Sequence, residues 1–159
     1  MNLRNAKRSE DTEQIKLMNW CKINESRYPE LRWCFHIPNG GKRNKQEAEK
    51  FKQMGVKAGV ADIQLPFQRG IYNGMFIELK YEDNKPTKNQ IEFMQAMQAA
   101  GHYCCVCYSS YAAIRTIEGY LNLTDGAEMT DAYIDDIEPL VYQIHKTWGI
   151  PIIMDSWRR

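Results

Sequence analysis

The chain has 159 residues, 43% hydrophobic and 26% charged, which fits one domain and excludes global disorder, collagen-like and low-complexity chains. No apolar run reaches the roughly 20 residues of a membrane span, and the start MNLRNAKRSED has no apolar signal region. The net charge of +1 argues against a polyanionic partner, yet it hides an asymmetry: residues 1–58 carry 13 Lys/Arg against 7 Asp/Glu, and residues 59–159 carry 8 against 13. A basic N-terminal third has the charge to hold phosphates; a solvated face is the alternative reading.

A helical stripe of Leu17, Trp20, Cys21 and Asn24 predicts a helix over 11–25, ended before Pro29. LRWCFHI alternates, which predicts a half-buried strand with Leu31, Trp33, Phe35 and Ile37 on one side and Cys34 and His36 on the other. Pro38–Gly41 reads as a turn, and a basic helix follows over about 44–54, with Ala48 and Phe51 inward and Gly55 at its end. VKAGVADIQLP and GMFIELKY are the next two strands. Thr87 and Gln90 form a capping box that opens a helix running to Ala100. HYCCVCY is a fourth strand, and Ser109 or Ser110 caps a helix reaching Leu121. An acidic connector leads to a last helical stretch over about 131–148, with Pro139 inside it. The order predicts an α/β fold with a central mixed four-stranded sheet flanked by helices, over residues 1–121. Residues 122–159 are expected to add a C-terminal helical extension.

The five cysteines are odd in number, and Cys104, Cys105 and Cys107 lack zinc-site spacing. Buried, reduced thiols in a cytoplasmic compartment are the expectation.

Two strands carry the chemistry. Glu78 and Lys80 stand two apart on a strand, on one side and about 6.6 Å apart along it. Alone they are also what a surface ion pair looks like. Asp62 lies on the polar side of the preceding strand, so pairing of the two strands brings Asp62 and Glu78 together. Two carboxylates with a backbone carbonyl form an oxygen-rich site suited to Mg2+ or Mn2+. Lys80 beside it could orient a water or stabilise a charged phosphoryl transition state.

Asp62, a 15-residue spacer and then Glu78-Leu79-Lys80 resemble the core of the PD-(D/E)xK nucleases. HIPNGGKR, MGVKAGVADIQL, FIELK, KPTKNQIEF and AGHYCCVCYS, in that order, resemble the VRR-NUC group within that superfamily, over residues 11–121. The resemblance implies a restriction-endonuclease-like core and metal-dependent hydrolysis of DNA. It implies Asp62, Glu78 and the Leu79 carbonyl as metal ligands, Lys80 as the catalytic lysine, and Gln90 as an assisting residue. It also implies Glu13 as a further acid of the site. Ala61 departs from the proline that many members carry before the aspartate. Gln90 has a second job in its capping box, and Glu13 a second one as an acid in a helix's first turn.

His36, Asn39, Gly40, Lys42, Arg43, Lys45 and Lys57 are the expected DNA contacts, in a basic groove built from the first helix and residues 42–57. His36 reads equally as a polar-face residue, and Asn39-Gly40 as a plain turn. Some compact relatives in the superfamily resolve four-way junctions. The expected substrate is therefore branched or flapped DNA, cut by a homodimer whose interface lies in 122–159. The alternatives are a non-cleaving DNA-binding protein on the same scaffold and a sequence-specific restriction-type enzyme.

Overall fold

The computed structural model describes residues 7–39, 44–130 and 140–155. Ser9 accepts a hydrogen bond from the Thr12 amide, and the Thr12 hydroxyl accepts one from the Ser9 amide, so a capping box opens α1 (Glu10–Ile23). Leu17 and Cys21 form its buried stripe. Pro29 then starts a 3-10 turn over Pro29–Trp33, and β1 is only Phe35–His36. The strand expected over 31–37 is therefore corrected. Proline's fixed φ suits the first position of the turn, and its three-residue period buries Leu31 and Cys34 together. Trp33 and Phe35, expected inside, are 59% and 44% exposed.

α2 (Lys45–Gln53) is capped by Asn44 and has no buried residue; Ala48 is exposed and Phe51 half-buried. β2 (Ile63–Leu65), β3 (Met75–Leu79), α3 (Lys88–Ala99), β4 (Tyr103–Cys107) and α4 (Ser110–Leu121) follow in the expected order, but β2 and β3 are shorter than expected, so Asp62 stands just before β2 and Lys80 just after β3. The Thr87–Gln90 capping box is present, and Ser109 caps α4. Every residue of β3 and β4 is buried, as strands covered on both faces must be.

The last part of the chain differs from expectation. Residues 131–139 lie outside the described residues, but Leu140–Ile144 is a strand, β5, and Pro151–Asp155 is another, β6. Apolar positions three and four apart suggest a helix. The β-branched and aromatic run LVYQI after Pro139 favours a strand instead. Among the described residues the sheet has six strands rather than four, in the order β1-β2-β3-β4-β6-β5. β3, β4 and β6 run parallel, while β1, β2 and β5 join antiparallel. The described end of the chain thus completes the sheet rather than forming a helical appendage.

Alternation along β3 splits the core in two. Met75, Ile77 and Leu79 pack with α1 and α4 on one face. Phe76 packs on the other with Met94 of α3, Cys104 and Val106. All five cysteines are buried free thiols.

Candidate active site

Register brings the two carboxylates together. β2 and β3 pair antiparallel with Ile63 opposite Ile77 and Gln64 opposite Phe76. Asp62 stands in the bend just before β2; continuing the register by one step places it beside Glu78, and the two carboxyls act on each other directly. Glu78 lies on the α3 side of the sheet. The Asp62 carboxylate accepts the Leu79 amide at 2.8 Å, tying the two strands together. The Asp62 carbonyl accepts the Ile37 amide at 2.8 Å and faces His36 Nδ1 at 2.8 Å. A carbonyl only accepts, so His36 carries its proton on Nδ1.

Gly59 holds the approach to Asp62. Its φ is +86°, and a Cβ there would stand 2.5 Å from the Asn89 backbone in the first turn of α3. The loop before Asp62 and the turn carrying Gln90 are in contact because residue 59 has no side chain. Asn39 Nδ2 donates to the Val60 carbonyl at 3.0 Å and fixes the same loop from the other side.

Glu78 is fully buried. Its Oε1 accepts Lys80 Nζ at 2.6 Å and also the Gln90 side-chain amide. Gln90 keeps its capping role as well: its Oε1 accepts the Thr87 amide at 2.8 Å, and its own backbone amide bonds Thr87 Oγ1. One Gln90 side chain thus reaches both Thr87, through its carbonyl, and Glu78, through its NH2.

Glu78 Oε2 is buried with no hydrogen-bond donor among the described residues. Burial, and then the Asp62 charge, push the Glu78 carboxyl up to about 8 against the pull of Lys80. Burial also raises Asp62, outweighing the Leu79 amide, Lys80 and His36. Burial opposes the charge on Lys80, but Glu78 outweighs it and lifts the ammonium above its ordinary range. When both ionise, two desolvated carboxylates against one lysine leave an excess of negative charge, and one Glu78 oxygen has no donor among the described residues. Those are the features a bound divalent cation would relieve. The donor set is hard oxygen throughout and fits Mg2+ or Mn2+. No group of three His, Cys, Asp or Glu side chains suited to a metal exists among the described residues. The set here is the Asp62 and Glu78 carboxylates.

The structure does not bring Glu13 into this cluster. Its Oε2 accepts the Ser110 amide and hydroxyl, both at 2.8 Å, and its Oε1 accepts Arg8 at 3.0 Å and Lys16 at 3.1 Å. Burial pushes its carboxyl up, but Ser110, Arg8 and Lys16 outweigh burial and hold it at about 2. Glu13 fastens α1 to the N-terminus of α4. The acid of α1 whose charge reaches Asp62 and Lys80 is Glu10, one turn earlier, with Oε1 held by Asn84 at 3.1 Å. Sequence spacing puts Glu10 and Glu13 on neighbouring positions of one helix face. Only the packing of α1 on α4 decides between them.

Of the expected DNA contacts, His36 and Asn39 border the Asp62 loop, and Lys45 and Lys57 are exposed on and just after α2. Gly40, Lys42 and Arg43 lie outside the described residues.

No family model and no curated protein matches the chain. A solved structure described as a VRR_NUC domain protein does match, with a TM-score of 0.67 and 31% sequence identity. The match covers 79% of this chain and 99% of that one.

Proposed function

The chain belongs to the VRR-NUC domain family, and from that membership and the Asp62–Glu78–Lys80 geometry we propose that it is a metal-dependent deoxyribonuclease. The observation that carries this reading is the buried, donorless Glu78 Oε2 on the face it shares with Asp62. Asp62, Glu78 and the Leu79 carbonyl are the residues that would hold Mg2+ or Mn2+. When bound, such a cation acidifies water and offsets charge on phosphate oxygens.

The chain's own residues do the rest. Gln90 fixes the orientation of Glu78 from α3, and the Leu79 amide fixes that of Asp62. Lys80 keeps its proton in this acidic setting, so it serves as a charged donor to a phosphoryl oxygen or to the attacking water. The buried strands around the site keep its dielectric low, which strengthens each of these interactions.

The finer reading is an endonuclease of branched DNA acting as a homodimer. A chain of this size has little room for a separate sequence-reading module, so phosphate contacts and shape would select the substrate. Two opposed cuts in a symmetric junction require two sites related by a twofold axis.

The test is cleavage of labelled linear, flapped and four-way DNA with Mg2+, Mn2+ or EDTA, alongside the molar mass by light scattering. Metal-dependent cutting favouring branched DNA, by a dimer, is expected. Binding without cutting would leave a DNA-binding protein on this scaffold. Cutting confined to one duplex sequence would indicate a restriction-type enzyme, and a monomer would remove the homodimer.

A further inference from the structure

We propose that Phe35, with Trp33 and Arg32 in the turn just before it, is a stacking platform for an unpaired nucleobase of the strand being cut. The inference rests on the nuclease reading above and adds the kind of DNA the site selects.

The first observation is exposure. Trp33 and Phe35 are large aromatic side chains, 59% and 44% exposed, in a segment where only Leu31 and Cys34 turn inward. The second is charge. The Arg32 guanidinium lies over the Trp33 ring, 5.6 Å from its centroid, and Arg27 lies over Tyr28 at 5.0 Å. Cations interleaved with aromatic faces suit a ligand that is itself alternately anionic and flat.

The third observation is position. Phe35 pairs with Gln64, and the Ile37 amide bonds the Asp62 carbonyl. Phe35, Gln64, Asp62 and Glu78 therefore lie on one face of the sheet. Phe35 is two positions along and one strand across from Asp62, about 8 Å away at the backbone. That is between two and three base steps of about 3.4 Å along a B-form strand. A base two or three nucleotides from the scissile phosphate is within reach of the ring.

A duplex interior offers no free base face, so this platform selects DNA with an unpaired stretch at the cut. A second copy of the chain is a poorer occupant. A twofold contact through this surface would set the patch against its own copy, so that Arg27 and Arg32 face a surface of the same charge.

The test uses the full chain in EDTA, so that binding is read without cutting. Anisotropy compares a blunt duplex with a splayed-arm duplex of equal length, and 2-aminopurine in the arm reports stacking. Wild-type protein is expected to prefer the splayed arm by about tenfold and to change the 2-aminopurine signal. Phe35→Ala with Trp33→Ala is expected to bring that preference to about parity. Phe35→Tyr should keep it, and Phe35→Leu should not. The salt dependence of binding should keep its slope, since no phosphate contact is removed.

A preference untouched by the alanine pair, or retained by Phe35→Leu, overturns this inference while leaving the nuclease reading intact. A fall in molar mass with the alanine pair also overturns it, by making the surface an interface between copies. A wild-type protein that binds no DNA overturns both.

Discussion

Replacing Glu13 by glutamine separates an anchor from a metal ligand. The wild-type carboxylate takes four donors, from Ser110, Arg8 and Lys16, and is almost fully buried. The Glu13→Gln side chain would keep one acceptor oxygen and turn an NH2 toward a cation. The carboxyl's fall from its ordinary 4.5 to about 2 sets the scale. At about 1.4 kcal/mol for each tenfold change in proton affinity, it bounds the loss near 3.4 kcal/mol. Arg8 and Lys16 are one-third exposed or a little more, and solvent screens their share, so about 2 kcal/mol is expected at pH 7. For a chain of this length that is a fall in Tm of about 4–8 °C.

The sign follows from the lowered folded value. The stabilisation is complete above the ordinary carboxylate value and disappears as pH falls through about 2. Thermal unfolding of both proteins from pH 7 to pH 2, followed by circular dichroism, reads this directly. The two curves should converge at low pH. The metal concentration that half-activates cleavage should stay the same. A variant as stable as wild type, with a weakened affinity for the metal, would refute the anchoring role and restore Glu13 as a ligand.

Other perturbations have equally definite outcomes. Glu78 has a folded value of about 8, above its ordinary 4.5, so its contribution is full at low pH and is lost as pH rises through 8. In EDTA at pH 9, Glu78→Gln should therefore be more stable than wild type by about 2–3 kcal/mol in urea titrations; added Mg2+ should stabilise only the wild type. Equal stability at every pH would count against the buried charge. Gln90→Glu should keep the capping box and so cost under about 1 kcal/mol, yet depress cleavage by setting a carboxylate against Glu78; activity near wild type would show that Gln90 only caps its helix. Gly59→Ala should lose more than about 2 kcal/mol, because its φ of +86° and the Asn89 backbone both exclude a methyl group. A soluble Gly59→Ala protein with unchanged Tm would disprove that contact.

Local signals make most of the fold legible. The caps at Thr87 and Ser109 and the alternation of Ala61, Ile63 and Leu65 each rest on neighbours in sequence; both helices start at those caps, and β2 forms over the end of the alternating run. The pair Asp62 and Glu78 is legible because strand alternation fixes the side on which a residue lies. What escapes depends on contacts distant in the chain. LRWCFHI alternates like a strand, but Pro29 and the docking of Leu31 and Cys34 make its first half a 3-10 turn. IPIIMD reads like a tail, and becomes an interior strand only because β4 offers it a parallel edge. Glu10 and Glu13 have the same chemistry and neighbouring positions on α1; the N-terminus of α4, 97 residues further on, claims one of them.

We propose that Asp62, Glu78 and Lys80 together hydrolyse DNA. Single-turnover cleavage of a labelled flap in Mg2+, with enzyme in excess, tests it most directly across wild type, Asp62→Asn, Glu78→Gln and Lys80→Met. Each substitution is expected to slow cleavage by at least about 100-fold while the protein remains folded. Cleavage at the wild-type rate by folded Glu78→Gln or Lys80→Met would contradict the claim and place the chemistry elsewhere on the molecule.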